Sequence, residues 1–350
     1  MITTLLLFIL ILGVTVFVHE FGHFLFAKLF GVCVFEFSIG MGPKIISKKS
    51  KKSETVYSIR AIPIGGFCSL AGEDTDEKEL AKTKGKNLQD KNVLQRFLIM
   101  FMGVGFNFIF AFLVLFLMGL IYGAKDKTPI IERVENNYPA QIAGIEKGDT
   151  VLSINDRKVR YVDDVSLYLT VENMEKDVRI KVKKQDNSIK TYKVTPAKET
   201  DDKGNTYYYI GVNLGSKTER GFFKSIVYAF KQECALFKQM FVVLGSLFTG
   251  GVSVKDLSGP VGIYTVVGTM KNQGANALMY LVALLCINVG VINLLPFPAF
   301  DGGRIVFLVI EKIKGSPVSP KVENTIHAIG FVLLILLMLY VTFNDILRLF

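Results

Sequence analysis

Val16-Phe17-Val18-His19-Glu20-Phe21-Gly22-His23-Phe24-Leu25-Phe26 sets three polar side chains inside an apolar run that extends from Ile2 to Phe30. A run of this length crosses about 30 Å of hydrocarbon as a helix rising about 1.5 Å per residue. It lacks a basic leading segment and a small-residue cleavage site, so it reads as a retained span rather than a signal peptide. On a helix, His19 and His23 project from one face, where two imidazoles can bind one Zn²⁺ with Glu20 beside the activated water. A glutamate at membrane depth costs about 3 kcal/mol and points to function. The plainer reading places these groups among headgroups at a helix end.

The rest of the chain fits a membrane setting. Half of the 350 residues are apolar, more than a soluble enzyme of this length needs. Further apolar stretches run from Phe97 to Tyr122, Asn272 to Phe300 and Ile326 to Phe343, and the stretch from Asn272, the third span of the chain, is broken near its end by Pro296 and Pro298. Cys33, Cys68, Cys234 and Cys286 lack paired spacing and read as small buried residues rather than disulfides or thiolate ligands. The net charge of +10 does not indicate nucleic acid, because the excess lies in one loop: Lys44, Lys48, Lys49, Lys51, Lys52, Arg60, Lys78, Lys82, Lys84, Lys86, Lys91 and Arg96. Such a loop stays in the cytoplasm. Both termini and residues 123 to about 271 are then extracytoplasmic, and the third span descends to the inner side.

Between Thr128 and Pro196 the pattern becomes that of a small soluble α+β module. Val178, Ile180 and Val182 alternate as a strand, Asp186-Asn187-Ser188 makes a turn, and a second strand passes through Tyr192 and Val194. The run from Tyr138 to Asn155 resembles the signature stretch of PDZ domains, which bind extended peptides at a sheet edge; a spacer without ligand is the alternative. In Phe222 to Val252, Lys224, Lys231 and Lys238 recur every seven residues as one polar stripe, which predicts an interfacial helix with its apolar end dipping into lipid. Val56-Tyr57-Ser58-Ile59 followed by Gly65-Gly66 predicts a strand and loop entering the membrane from inside, or an ordinary cytoplasmic hairpin. His327, at the start of the last span, is expected to satisfy a backbone carbonyl or face headgroups.

A catalytic zinc needs a third protein ligand and an open position. Asp301, in Asn293-Leu294-Leu295-Pro296-Phe297-Pro298-Ala299-Phe300-Asp301-Gly302-Gly303 at the inner end of the third span, is the strongest candidate. The plain alternative for this run is a Pro- and Gly-rich helix stop. Topology offers a test: Asp301 reaches the leaflet of His19 only if Phe222 to Val252 does not cross fully.

HExxH in the first span with NxxPxPxxDGG in a later one resembles the site-2 protease family of intramembrane zinc metalloproteases. Ser38-Ile39-Gly40-Met41-Gly42-Pro43, Arg60 to Phe67, Ser258-Gly259-Pro260-Val261-Gly262, Asn288 and Asn293 also look like that family. A single PDZ-like insert is closest to its bacterial, sigma-factor-regulating type. The resemblance implies His19, His23 and Asp301 as metal ligands, Glu20 as catalytic base, and Asn293, Asn288, Gly65 and Gly66 as substrate-binding or oxyanion groups. It implies Zn²⁺ as cofactor and, as partners, the lipid bilayer and transmembrane proteins already trimmed by another protease, such as anti-sigma factors or remnant signal peptides.

The expected fold is therefore a multi-pass α-helical membrane protein with four transmembrane helices and an inserted α+β PDZ-like domain. Residues 1–127 form the first part of the membrane core (spans about 3–30 and 95–122, hairpin 31–94), and 128–200 the PDZ-like domain. Residues 201–255 form a linker and interfacial helix, and 256–350 the second part of the core (spans about 273–300 and 325–344). Two other readings compete. In a non-catalytic adaptor the module recruits partners and the histidines are structural. A transporter would use the intramembrane polar groups as an ion path, but repeated broken spans are missing.

Overall fold

The computed structural model describes residues 1–51, 53–73, 83–171, 176–200, 206–215, 218–253, 255 and 257–348. Lys52, Lys78 and Lys82 of the basic loop, and residues 201–205 of the expected linker, lie outside them. The chain divides into two compact units, one of Met1–Leu115 with Leu257–Phe350 and one of Phe116–Asp256.

The first unit begins with α1 (Ile2–Leu29), followed by strands β1 (Val34–Lys49) and β2 (Val56–Leu70) and by α2 (Val93–Tyr122). The strands bend at Gly40, Gly42 and Gly65, all with positive φ, which glycine adopts without Cβ strain. Each strand thus pairs twice, giving four runs in the order 66–70, 34–39, 56–59, 44–49. Glu36 links three of them through Lys44 at 2.8 Å, Ser58 at 2.5 Å and Arg60 at 2.8 Å. Lys28 reaches Thr55 Oγ1 at 2.6 Å, and Ala27, Val34, Leu70, Ile99 and Met100 share a core. The small sheet is thereby fixed to the C-terminal end of α1 and the first turns of α2.

Among the described residues, four helices are long and apolar enough to cross a membrane: α1, α2 and two introduced below, Ala275–Leu294 and Lys321–Leu347. The last of these leaves Phe331, Leu333, Leu336, Leu337 and Leu339 exposed, an apolar surface that water tolerates poorly and lipid does not penalise.

The second unit contains β3 (Ala124–Lys125), β4 (Ile130–Val134), α3 (Pro139–Ile142), β5 (Thr150–Ile154), β6 (Arg157–Lys158), α4 (Val162–Val171), β7 (Val178–Lys183) and β8 (Ile189–Val194). It continues through β9 (Ala197–Thr200), β10 (Thr206–Tyr209), β11 (Val212–Gly215), β12 (Thr218–Glu219) and α5 (Phe222–Thr249). The main sheet has the order β11-β4-β5-β7-β8, with β6 on β5. The expected β7–β8 hairpin is present: Val178, Ile180 and Val182 are buried, and the Lys184 amide donates to Ser188 O across the turn at 2.8 Å. The sheet runs past residue 200, because β11 pairs with β4.

α5 rests on this module. Lys238 Nζ lies 2.9 Å from the buried Asp164 Oδ1, and Val242, Val243 and Val252 pack on the sheet's core. The lysine stripe is therefore not uniformly solvated; Lys238 anchors the helix to α4, while Phe223, Phe230, Phe241 and Phe248 are the exposed groups. Cys234, on the same helix, is exposed rather than buried as expected.

The chain then returns to the first unit with α6 (Pro260–Gln273), α7 (Ala275–Leu294), α8 (Asp301–Lys314) and α9 (Pro320–Leu347). α6 packs on α1 and α7 through Phe8, Ile11, Val267, Leu281 and Leu285. Asp345 of α9 accepts the Gly262 amide at 2.8 Å, satisfying an orphan donor of the first turn of α6. The third span ends at Leu294, six residues before the expected end at Phe300. Pro296 and Pro298 cannot continue the hydrogen-bond ladder. The following Asp-Gly-Gly does not stop a helix but starts one, α8.

Candidate metal centre

α1 presents His19 and His23 on one face, both buried. Their Nε2 atoms stand 3.2 Å apart, and Asp301 Oδ2 lies 3.2 Å from the first and 3.3 Å from the second. Asp301 begins α8 after a tight approach: Cβ atoms on Gly302 or Gly303 would strike the carbonyls of Leu294, Leu295 and Phe297. Ala299, with φ 79°, closes the bend. Its amide donates to His327 Nδ1 at 3.0 Å. His327 thus serves a backbone N–H, not the carbonyl expected, and holds the segment that carries Asp301.

α1 and α2 meet where neither has a side chain. A Cβ on Gly22 would strike the Met102 backbone, and a Cβ on Gly103 would enter the His23 ring. His23 Nδ1 lies 2.8 Å from Ile99 O. A carbonyl only accepts, so Nδ1 carries the proton and Nε2 keeps its lone pair for the triangle.

The donor set fits a zinc ion. Two imidazole nitrogens and a carboxylate oxygen are ordinary ligands, and bonds of about 2.0–2.1 Å in tetrahedral geometry separate ligand atoms by about 3.3 Å. The observed edges of 3.2 to 3.3 Å match. Asp301 Oδ2 is buried without a hydrogen bond among the described residues, facing two ring nitrogens. A cation resolves that arrangement, and this is the one three-ligand group found among them.

The other expected residues scatter more widely. Glu20 is half-buried, and a Cβ on Gly66 would lie 3.7 Å from Glu20 Cγ and 2.6 Å from Ser38 O, so the edge run 66–70 passes beside the glutamate. Gly65 is packed against Met41 instead. Asn288 and Asn293 are half-buried on α7, neither hydrogen-bonded to the triad among the described residues. Missed from the sequence were Gly103 and Asn107 on α2 and the Arg304–Glu73 ion pair at 2.6 Å, three residues beyond Asp301. A solitary amide in an otherwise apolar span was the available signal for Asn107.

The model of peptidase family M50 matches residues 7–337. The chain belongs to this family. Among its relatives, the regulator of sigma-W protease RasP of Bacillus subtilis is 33% identical over 100% of this chain and 99% of its own. The zinc metalloprotease RasP of Bacillus licheniformis is 34% identical over 99% of each. This M50 peptidase is a multi-pass membrane protein and an intramembrane zinc metalloprotease of the site-2 type.

Proposed function

We propose that His19, His23 and Asp301 hold the catalytic zinc and that Glu20 is the general base. The triangle of 3.2 to 3.3 Å edges carries this reading. Zinc, when bound, supplies Lewis acidity that activates water near neutral pH and polarises the scissile carbonyl. Glu20, one residue from a ligand, takes the proton from the attacking water and returns it to the leaving nitrogen. A substrate helix must open before its carbonyls are accessible, and an extended segment at membrane depth needs another backbone to satisfy it. The run 66–70 is an edge of its sheet and passes Glu20, so it pairs with the substrate, with Gly65-Gly66 at the start of that run. Asn293, with Asn288 behind it, orients substrate backbone or the developing oxyanion from the last turns of α7.

The basic loop supports a centre in the cytoplasmic half of the bilayer, with both termini and the β-rich module outside. His19 and Asp301 sharing one site agrees with α5 not crossing. The module, read as PDZ-like, excludes substrates with bulky outer domains until another protease trims them. Anti-sigma factors and remnant signal peptides are suitable substrates, in line with the sigma-W regulator among the relatives.

Zinc analysis and cleavage of a model transmembrane substrate by wild type, Glu20→Gln and His23→Ala test the assignment. Glu20→Gln should keep zinc and lose about 10²- to 10⁴-fold in rate, while His23→Ala should lose the metal. Wild-type cleavage by the glutamine variant, or full zinc in the alanine variant, would refute it.

A further inference from the structure

His23 has its tautomer fixed by the Ile99 carbonyl, but the equivalent support for His19 is a side chain. Asn107 is fully buried, and its amide nitrogen lies 3.4 Å from His19 Nδ1. For Nε2 of His19 to face the metal, Nδ1 must carry the proton. An amide NH₂ pointing at that N–H sets donor against donor. At the same time Asn107 Oδ1 is buried with no hydrogen-bond partner among the described residues. Turning the amide by half a revolution exchanges two ends of nearly equal size and removes both conflicts, because Oδ1 then accepts the Nδ1 proton.

The helix geometry supports this pairing. Ile99, Gly103 and Asn107 are spaced by four and share one face of α2, opposite His23 and His19, also spaced by four on α1. The first position offers a carbonyl to one imidazole, the second yields space for its ring, and the third meets the other imidazole.

We infer that Asn107 is a positioning residue of the zinc site, its side-chain carbonyl accepting the His19 Nδ1 proton and so directing Nε2 to the metal. The inference rests on His19 and His23 being ligands. Partners of this kind orient the ring and raise ligand basicity, and their removal commonly costs 10- to 100-fold in metal affinity.

The test is chelator competition for zinc on the purified full-length protein, reading affinity rather than turnover. Asn107→Leu and Asn107→Ala should each bind zinc roughly 10- to 100-fold more weakly, the alanine variant serving where leucine prevents folding. Asn107→Asp, which keeps an acceptor, should bind at least as tightly as wild type. Wild-type affinity in the leucine or alanine variant overturns the inference, as does an aspartate variant as weak as either. His23→Ala separates the two ideas: zinc retained there refutes the ligand assignment itself, whereas zinc lost there but unaffected by Asn107 substitution refutes only the role of Asn107.

Discussion

Gly103→Ala is the most diagnostic single perturbation of the helix crossing beneath the metal centre. In an exposed helix this change is stabilising by up to about 1 kcal/mol, because alanine is the better helix former. Here the new Cβ would overlap the His23 ring, lying 2.8 Å from Cδ2 and closer still to Nε2 and Cε1. Relief at Nε2 to an ordinary contact of about 3.5 Å moves the ring by more than an ångström or pushes the helices apart. Metal sites tolerate about ±0.2 Å in bond length, and misplacing a reacting group by about 1 Å costs on the order of 10²-fold in rate. The variant should therefore bind zinc at least about 10-fold more weakly and cleave a transmembrane substrate in proteoliposomes about 100-fold more slowly. Gly105→Ala is the control: its Cβ meets the flexible Met102 side chain at 3.1 Å, on its own helix, and activity should hold. Full zinc occupancy and normal cleavage by Gly103→Ala would refute the close crossing of α1 and α2 at this point.

Lys184 joins the buried Asp149 and Glu146, each at 3.0 Å. Burial acts against its charge, yet these hydrogen bonds hold its pKa above the ordinary lysine range. Because the folded pKa is raised, the stabilisation is complete below the unfolded value of about 10.4 and declines as pH rises through the folded value. Protection of the β-rich module from proteolysis should be flat from pH 7 to about 10 and weaken beyond, and Lys184→Met should cost about 2 kcal/mol at neutral pH. His327→Leu leaves the Ala299 amide without its acceptor and should destabilise the Asp301 segment by about 1–2 kcal/mol, read as faster zinc loss to chelator; His327→Gln should recover part of it. Deleting residues 128–196 should allow untrimmed substrates to be cut, and unchanged selectivity would count against the filter.

What the sequence disclosed follows from how strongly each feature constrains the chain. His19, His23 and Asp301 announced themselves because polar groups are expensive in a span, and their triangle appears in the structure. The four long helices were legible for the same reason. α6 was not, since Gly, Thr and Asn interrupt its apolar residues and its stability comes from α1, α7 and the Asp345 cap. α8 was hidden behind prolines and glycines that read as an ending, although Gly302 and Gly303 permit a close-packed beginning. The four-run sheet escaped prediction because a bend at a glycine does not reveal which neighbour each half selects. Lys238 illustrates a further limit: a stripe of lysines is equally compatible with headgroups and with a buried aspartate on another element.

The triangle of His19, His23 and Asp301 draws two of its corners from α1 and the third from a helix made only after the whole inserted module has been translated. While the ribosome is still working, the membrane holds an imidazole pair with no carboxylate to complete it. The complete triangle accordingly first exists at a point in biosynthesis when the inserted module has already been made.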